Sequence, residues 1–251
     1  MDIRLDGKTA LVTGASSGLG ERFAQVLAES GARVAIAARR LERLKELRAT
    51  IEAAGGECFA IAMDVTDLAS IETAVATIER DFAPIDVLVN NSGLSITKRL
   101  GDYTETEFDK IINTNVKGAF FVAQTVGARM IAAKRPGRII NIASTAGIKP
   151  IRGVGVYSMS KAAAISMTQA MALEWGRRGV SVNALCPGYI GTELNDAFWE
   201  TDAGRRLVDS LPRRRLGRRE DLDGLIVLRA SDASEFINGA AISADDGLAI
   251  A

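Results

Sequence analysis

The feature that most constrains the fold of this chain is a regular alternation of short apolar runs with segments of helical period. The runs are mostly continuous in apolar character, which is typical of strands buried on both faces of a sheet. They lie at 9–13, 33–37, 58–61, 86–89, 138–142, 180–185 and 241–243. Helix-period segments lie between them, at 19–30, 40–54, 67–81, 105–133, 158–177 and 219–230. This order predicts an α/β fold with a parallel sheet covered by helices on both faces.

The domain organisation follows from length and from the absence of linkers. The chain has 251 residues, without an internal repeat, a low-complexity tract or a Gly/Ser linker, so we expect a single domain over 1–251. One segment, 190–218, follows a strand but has no strand period. Such excursions beyond the carboxyl ends of strands often cover a ligand, which makes this segment a candidate lid on the substrate side. An ordinary surface helix-loop-helix remains the alternative.

The composition excludes several chemistries. The sequence contains no histidine, which removes Ser–His–Asp and Cys–His hydrolysis and zinc sites that need imidazole. We therefore expect no metal site of that kind. Proton transfer near neutral pH then requires another side chain with a shifted pKa.

Charge and cysteine content narrow the partners and the compartment. Lys and Arg number 31 and Asp and Glu 31, so no general nucleic-acid or anionic-membrane surface is expected. The first residues lack a signal-peptide pattern, and no run approaches a membrane span. Cys58 and Cys186 are expected to be buried, reduced thiols. These features predict a cytoplasmic protein that acts on a small molecule.

A glycine-rich turn joins the first predicted strand to the first helix. Glycines at 14, 18 and 20 allow a tight turn and bring backbone N–H groups close to a pyrophosphate at the helix N-terminus. The turn has no P-loop lysine, which disfavours a nucleotide triphosphate. The residues of the turn predicted to bind a dinucleotide are Gly14, Ser16, Ser17, Gly18, Leu19 and Gly20.

From this spacing onward the sequence resembles the short-chain dehydrogenase/reductase family over essentially its whole length. Asn90-Asn91-Ser92-Gly93 resembles the family's Asn-Asn-Ala-Gly turn, with Ser92 as a departure. Further motifs match in order and spacing: the adenine-contacting pair Asp64-Val65, the tetrad Asn115, Ser144, Tyr157 and Lys161, and the nicotinamide segment with Pro187, Gly188, Ile190 and Thr192. The joint match of these motifs is highly specific.

The resemblance implies a fold and a mechanism. The fold would be a Rossmann-type, doubly wound parallel sheet in a single domain. Tyr157 would donate a proton to a carbonyl oxygen as hydride arrives, and Ser144 would position that oxygen. Lys161 would also hold the nicotinamide ribose, and Asn115 would hold a water in a proton relay. The family usually forms homotetramers, so a homotetramer or a homodimer is expected.

The residues themselves explain how a histidine-free site could move a proton. Tyr157 and Lys161 are four positions apart on a predicted helix, so their side chains share one face. An ordinary tyrosine has a pKa near 10, and a neighbouring ammonium group stabilises tyrosinate. We therefore expect Lys161 to lower the pKa of Tyr157.

The end of the second predicted strand indicates which cofactor is used. A site for NAD usually carries an acidic residue here, which binds the ribose 2′-hydroxyl. This sequence has Ala38, Arg39 and Arg40 instead. A guanidinium pairs well with phosphate, so NADP(H) is predicted, with Arg39 and Arg40 as ligands. The alternative is that these arginines only begin a solvated helix.

Apolar residues dominate the predicted substrate side. The substrate residues are Ser144, Ala146, Val154, Tyr157 and Tyr189; further lining is expected from Leu94, Ser95, Ile96, Ile190, Leu194, Phe198 and Trp199. This lining favours a ketone, an aldehyde or a 3-oxoacyl group over a free sugar. A 3-oxoacyl-thioester reductase and a broad ketone or aldehyde reductase both remain open.

Two further alternatives concern surfaces and catalysis. The arginine-rich run 212–221 is predicted to be a solvated loop, with docking to an acidic carrier protein or to coenzyme A phosphates as the alternative.

The rival function is a catalytically silent NADP-binding regulator on the same fold. Such a protein has no need of Tyr157 and Lys161 together.

Overall fold

The computed structural model describes residues 3–192 and 196–251. Within these ranges, seven parallel strands form one sheet in the order β3-β2-β1-β4-β5-β6-β7. The strands are β1 (Thr9–Thr13), β2 (Arg33–Ala38), β3 (Cys58–Ala62), β4 (Val87–Asn90), β5 (Gly137–Ile142), β6 (Val180–Pro187) and β7 (Ala241–Ala244). Each predicted strand is present, because a continuous apolar run suits a strand with helices on both of its faces.

Helices connect the strands and cover both faces of the sheet. They are α1 (Gly18–Glu29), α2 (Leu41–Ala53), α3 (Leu68–Asp81), α4 (Glu105–Ile112), α5 (Ala119–Ala132), α6 (Gly155–Trp175), α7 (Asp196–Trp199), α8 (Asp202–Ser210) and α9 (Asp223–Ala230). One apolar core lies under α1, α2 and α9. The other lies under α3, α5 and α6. The predicted Rossmann-type, doubly wound α/β fold in a single domain is therefore confirmed.

The strand order places the functional residues. It reverses between β1 and β4, which are adjacent although two strands separate them along the chain. A crevice opens outside the carboxyl ends of the strands at such a reversal. The glycine turn follows β1 and the Asn91–Gly93 turn follows β4, so the two turns meet there.

The predicted helix 105–133 is not continuous. It consists of α4 and α5 joined by one π-helical segment, Asn113–Gly118. A Cβ at Gly118 would lie 2.6 Å from the carbonyl oxygen of Val65, so glycine permits a close approach to the end of β3. The wider π turn frequently occurs at functional sites, and here it carries Asn115.

The candidate lid is partly helical. It contains α7 and α8, and its two ends meet where Ile190 pairs with Gly217 as in a parallel sheet. Leu194 lies outside the described residues. The ring of Trp199 packs edge-on against Tyr189, with centroids 5.6 Å apart.

Other expectations concern the cysteines, membranes and metals. Cys58 and Cys186 are both free and buried, as predicted. Among the described helices, none is long and apolar enough to cross a bilayer. Over the same part of the chain, no group of His, Cys, Asp and Glu side chains could hold a metal ion.

Candidate active site

The glycine turn has the conformation that its sequence predicts. Gly14 and Gly18 have φ values of +66° and +62°, in the left-handed region that favours glycine. A Cβ at Gly20 would overlap the carbonyl oxygen of Gly14 and lie 2.5 Å from the Asn91 amide nitrogen. The turn and the start of α1 are thus packed at a distance that only glycine allows.

The turn after β4 braces the glycine turn. The backbone N–H groups of Asn91 and Ser92 donate to Thr13 Oγ1, at 3.0 and 3.1 Å. The Asn91 side-chain amide donates to the carbonyl oxygens of Thr13 and Gly14, at 3.0 and 3.3 Å. Sequence reasoning placed Asn91, Ser92 and Gly93 here but missed Thr13, whose hydroxyl accepts both bonds. The sequence feature that could have identified Thr13 is its position at the end of the first predicted strand, directly before the glycine turn.

Arg40 lies directly on the glycine turn. Its guanidinium donates to Ser16 Oγ at 2.9 and 3.3 Å and to Ser17 Oγ at 3.0 Å. A cation and two hydroxyls therefore stand beside the N-terminus of α1, where backbone N–H groups also favour an anion. This donor set fits the phosphate groups of a dinucleotide.

Arg39 faces a different neighbour, Asp64. Burial acts to raise the pKa of Asp64, but hydrogen bonds from Thr66 and the charge of Arg39 outweigh it, and the pKa lies below its usual value. Asp64 Oδ1 accepts from the backbone N–H and the hydroxyl of Thr66, at 2.9 and 2.8 Å. Val65, the other predicted adenine contact, is buried beside it.

The segment after β6 returns to the same crevice. Thr192 lies over the glycine turn, since a Cβ at Gly18 would be 3.8 Å from its Cγ2. Pro187 ends β6, and Ile190 is buried. The structure therefore brings the predicted nicotinamide segment to the glycine turn.

Asn115 is buried and makes three hydrogen bonds within the protein. Its Oδ1 accepts from the Leu94 backbone N–H at 2.9 Å, and its amide donates to the Leu94 carbonyl at 2.9 Å and to Ser160 Oγ at 3.0 Å. Ser160 in turn donates to the carbonyl of Tyr157. Asn115 thus connects the π turn, the loop after β4 and the helix of Tyr157. Sequence reasoning missed Ser160, and its position directly before Lys161 was the only signal.

Lys161 is a buried amine at the centre of the site. Only 6% of the residue is exposed, and its Nζ donates to the carbonyl of Ile142 at 2.6 Å. The Nζ lies 5.6 Å from the centroid of the Tyr157 ring. Burial lowers the pKa of Lys161 to about 8. A Cβ at Gly93 would lie 3.5 Å from this nitrogen, so the turn after β4 flanks it.

Tyr157 and Ser144 influence each other at the site. Burial raises the pKa of Tyr157, and the hydroxyl of Ser144 acts against that shift. The lowering that the sequence predicted from Lys161 is therefore not found, because the ammonium group points to the Ile142 carbonyl and desolvation dominates. Ser144 Oγ also accepts from the Ala146 N–H at 3.1 Å.

Ser144 begins a tight turn that packs on α6. The turn, Thr145–Gly147, is a single 3-10 turn after β5. A Cβ at Gly147 would lie 2.6 Å from the carbonyl carbon of Lys161, so glycine lets the turn approach α6. Sequence reasoning missed Gly147, which has no periodic signal. We refer to residues 144–147 as the catalytic turn, because it begins with Ser144, a predicted catalytic residue.

Of the remaining predicted substrate residues, Ala146 belongs to this turn, Val154 directly precedes α6 and Tyr189 follows β6. Ala146 is buried, and Val154 pairs with Lys98 as in a parallel sheet. The Lys98 ammonium is bound to both carboxylate oxygens of Glu107, at 2.8 Å each. Burial raises the pKa of Tyr189. Lys98 is therefore engaged by Glu107 rather than presented alone to a substrate.

The arginine-rich run is tied to the rest of the molecule. Four of its arginines form ion pairs: Arg213 with Asp246, Arg215 and Arg218 with Asp221, and Arg219 with Glu21. The backbone of Gly217 also exchanges hydrogen bonds with the segment after β6. The run connects α1, the C-terminal segment and the Tyr189–Gly191 segment.

Comparisons with known proteins agree with this geometry. The family model described as short chain dehydrogenase matches residues 8–203. Sorbitol dehydrogenase of Cereibacter sphaeroides is 40% identical over 255 residues, covering 98% of this chain and 98% of that protein. A 3-oxoacyl-acyl-carrier-protein reductase of Thermotoga maritima is 36% identical over 248 residues, covering 99% and 100%.

A solved structure is similar over the whole fold. The gluconate 5-dehydrogenase from Burkholderia cenocepacia J2315, in complex with NADP and tartrate, superposes with a TM-score of 0.95. It is 34% identical, and the match covers 100% of this chain and 98% of that one. By the family match, the sequence relatives and the shared fold, this chain belongs to the short-chain dehydrogenase family and is an oxidoreductase.

Proposed function

We propose that this protein interconverts a ketone or aldehyde and an alcohol by hydride transfer to and from NADP(H), with Tyr157 as general acid and base. The observation that carries the proposal is the constellation at the carboxyl ends of the strands. A buried Lys161 beside Tyr157, the hydroxyl of Ser144 and the glycine turn converge there. A catalytically silent regulator would not require a buried amine beside a tyrosine.

The cofactor would be held by the residues already placed at the crevice. The N-terminus of α1 and the glycine turn would take the pyrophosphate, and Thr192 would lie above it. Arg40, with Ser16 and Ser17, and Arg39 beside it would take the 2′-phosphate of NADP. The buried Ala38 leaves no carboxylate at that position to repel a phosphate. When bound, the nicotinamide supplies or accepts the hydride.

Tyr157 would supply the proton in the reductive direction. Its raised pKa keeps the phenol protonated at neutral pH, which suits a proton donor to a carbonyl oxygen. Ser144 would hydrogen-bond that oxygen and hold it against the phenol. In the oxidative direction tyrosinate is needed, so the rate should rise with pH. The Lys161 ammonium would assist ionisation while it remains charged, below its pKa of about 8.

Asn115 would connect Lys161 to the proton relay. Both of its amide hydrogens and one lone pair of Oδ1 are already used within the protein. The second lone pair of Oδ1 is the acceptor left for a relay water. The location of Asn115 fits that role, because its Oδ1 and Lys161 Nζ flank the same point beside Gly93. A Cβ at Gly93 would lie 3.4 Å from Asn115 Oδ1 and 3.5 Å from Lys161 Nζ.

The substrate class stays broad in this proposal. The relatives include a sorbitol dehydrogenase, a 3-oxoacyl reductase and a gluconate 5-dehydrogenase that holds tartrate. Two of these three names point to polyhydroxylated compounds, which the apolar lining had disfavoured. We therefore extend the substrate set from simple ketones, aldehydes and 3-oxoacyl thioesters to sugar acids and polyols. Segment 190–218 would form the lid over whichever compound binds.

We also propose a homotetramer in the cytoplasm. A groove of about 630 Å³ lies between α5 and α6, lined in part by Phe120, Met167 and Trp175. At the β7 side of the sheet, Phe236 is fully exposed and Leu173 is 83% exposed. Such apolar surface suits contact with further copies of the chain. The two buried thiols fit a reducing compartment. Light scattering of the purified chain checks the assembly.

The experiment is NADPH oxidation by the purified protein against ketones, aldehydes, acetoacetyl thioesters and keto sugar acids, with alcohol oxidation by NADP in parallel. We expect turnover of at least one class, and Tyr157→Phe should bind NADPH as the wild type does yet lose nearly all turnover. NADPH binding without turnover of any compound would support the silent regulator. A Tyr157→Phe variant with the wild-type kcat would contradict the assigned chemistry.

A further inference from the structure

Thr145 follows Ser144, and its hydroxyl is directed toward Asp245 in the C-terminal segment. It is 2% exposed, and its hydroxyl donates to Asp245 Oδ2 at 3.2 Å, with the carbonyl of Cys186 at 3.5 Å as a weaker acceptor. A buried hydroxyl with a carboxylate acceptor makes a charge-assisted bond, which is stronger than a bond between neutral groups. The catalytic turn is therefore held from behind by a residue 100 positions later in the chain.

Asp245 lies two strands away from the catalytic turn. It directly follows β7, whereas Thr145 follows β5, so their bond passes over the end of β6. The C-terminal segment also touches the predicted nicotinamide segment, because Gly188 N–H donates to the carbonyl of Ala244 at 3.1 Å. A Cβ at Gly188 would lie 2.8 Å from the Asp245 Cα. Asp245 is thus packed against two parts of the proposed site.

The carboxylate of Asp245 is itself held in place. Its Oδ1 accepts from the Gly247 N–H at 3.1 Å, and its Oδ2 accepts from the Ala249 N–H at 2.9 Å. These bonds fold the C-terminal segment around the carboxylate and fix the direction in which it faces Thr145. A preorganised acceptor of this kind can hold a neighbouring turn to within a fraction of an ångström.

We propose that Asp245 is a positioning residue that acts through Thr145 to hold Ser144 in register with Tyr157. The Ser144 hydroxyl accepts from the Ala146 N–H within the turn and also influences the pKa of Tyr157, and both effects depend on its exact position. Loss of the Thr145–Asp245 bond lets the catalytic turn shift, and the Ser144 hydroxyl then no longer meets the substrate oxygen and the phenol together. This inference rests on the proposed function of the same site.

The test uses an isosteric pair of variants and a control within the chain. Thr145→Val removes the hydroxyl and keeps the shape, whereas Thr145→Ser keeps the hydroxyl. Thr125→Val is the matched control, since Thr125 is a buried threonine whose hydroxyl donates to Glu72 at 2.9 Å, between α5 and α3. Asp245→Ala and the double variant with Thr145→Val complete a cycle.

We expect Thr145→Val to lower kcat by about 10-fold, because small displacements of a positioning group are costly to turnover. The Kd for NADPH, from fluorescence quenching, should stay unchanged. Thr145→Ser should restore kcat, and Thr125→Val should keep it. The double variant should lose no more than either single variant. Equal kcat losses in Thr145→Val and Thr125→Val, or additive losses in the cycle, would overturn the inference.

A second measurement does not need turnover. The nearby Ser144 hydroxyl acts to lower the pKa of Tyr157, so Thr145→Val should shift the ultraviolet titration of Tyr157 to higher pH. The Tyr157 signal is isolated by subtracting the corresponding Tyr157→Phe variant, which removes the contribution of the other tyrosines. An unshifted titration would overturn the inference. If the wild type turns over no substrate, the proposed function fails, whereas this titration still decides the role of Asp245.

Discussion

A cation is buried at each end of the parallel strands, and the two cations differ in their surroundings. We call the end at which the strands finish the carboxyl edge of the sheet, and the end at which they begin the amino edge. At the carboxyl edge, Lys161 is 6% exposed and has one acceptor, the Ile142 carbonyl. At the amino edge, Arg229 is 2% exposed and donates to the carbonyl of Ile237, while its Nε and Nη1 have no partner among the described residues. Burial lowers the pKa of both, to about 8 and about 10.

The difference between the two edges lies in their neighbours. Lys161 stands beside Tyr157 and the Ser144 turn, so its burial places a titratable amine where a proton must move. Arg229 stands near a second cation, Arg138, which lowers its pKa further. A desolvated charge is costly in both places. At the carboxyl edge the desolvated charge of Lys161 has a proposed role in proton transfer. At the amino edge we propose no such role for Arg229.

The largest expected effect is the loss of activity on removing the carboxyl-edge amine. Lys161→Met should lower kcat by about 10³-fold, because the site loses the ammonium group that assists proton transfer. The measurement is steady-state NADPH oxidation with the best substrate of the panel. Lys110→Met, on the exposed side of α4, serves as the control and should keep the wild-type kcat. A Lys161→Met variant whose kcat is within a few-fold of the wild-type value would show that the buried amine is not needed for proton transfer.

The second effect concerns the cation that binds rather than reacts. Arg40→Ala should raise KM for NADPH by about 10- to 100-fold with little change for NADH, since it removes a charged partner of the 2′-phosphate. Arg39→Ala should act in the same direction but less, because the charge of Arg39 also interacts with Asp64. Arg48→Ala, an arginine of α2 paired with Glu52, is the control. Equal changes in KM for NADPH and NADH would show that Arg39 and Arg40 do not bind the 2′-phosphate.

At the amino edge we expect the opposite sign, a gain in stability. Arg229→Met removes a desolvated charge and keeps apolar volume, so the free energy of unfolding should rise by about 1–2 kcal/mol with kcat unchanged. Urea unfolding followed by circular dichroism measures it. The control is Arg129→Met, since Arg129 is paired with Glu72 and Glu79 and its loss should slightly destabilise the fold. A clear loss of stability in Arg229→Met would show that the Ile237 contact outweighs the burial of charge.

The smallest effect is a pH dependence of the stability cost of Lys161. The folded pKa of Lys161 is about 8, below its ordinary value of 10.5. Between these values the unfolded chain binds more protons, so wild-type stability rises with pH relative to Lys161→Met. The stability difference between the two proteins should therefore change by about 1 kcal/mol from pH 7.5 to 9.0. A constant difference would mean that Lys161 is not desolvated.

Much of the carboxyl edge could be predicted because its signals are local. A glycine turn between a strand and a helix, and Tyr157 four residues before Lys161, are patterns within one or two elements. The helix 105–133 shows the limit of such signals. Its period continues through Asn113–Gly118, where the structure has a π turn and Gly118 lies close to Val65, a contact between segments distant in the sequence.

Electrostatics was the other limit of sequence reasoning. The prediction that Lys161 lowers the pKa of Tyr157 assumed a solvated pair, whereas the folded site buries both groups and turns the amine toward Ile142. The arginine-rich run was predicted to be solvated, and its four paired arginines do stay 37% to 75% exposed, but Arg213 and Arg219 also form ion pairs with Asp246 and Glu21 outside the run. Both outcomes depend on which groups the fold brings near, and sequence spacing does not report that.

The sequence by itself determined three features: the order of strands and helices along the chain, the glycine turn suited to a pyrophosphate, and the side chains that can exchange a proton without histidine. These follow from periodicity, glycine conformation and residue chemistry, which are properties of short segments. Only the tertiary structure decided which arginine meets Ser16 and Ser17, how deeply Lys161 is buried, and that Asp245 reaches the catalytic turn. Those are long-range contacts, and their energies depend on desolvation and distance, which are set when distant segments pack together.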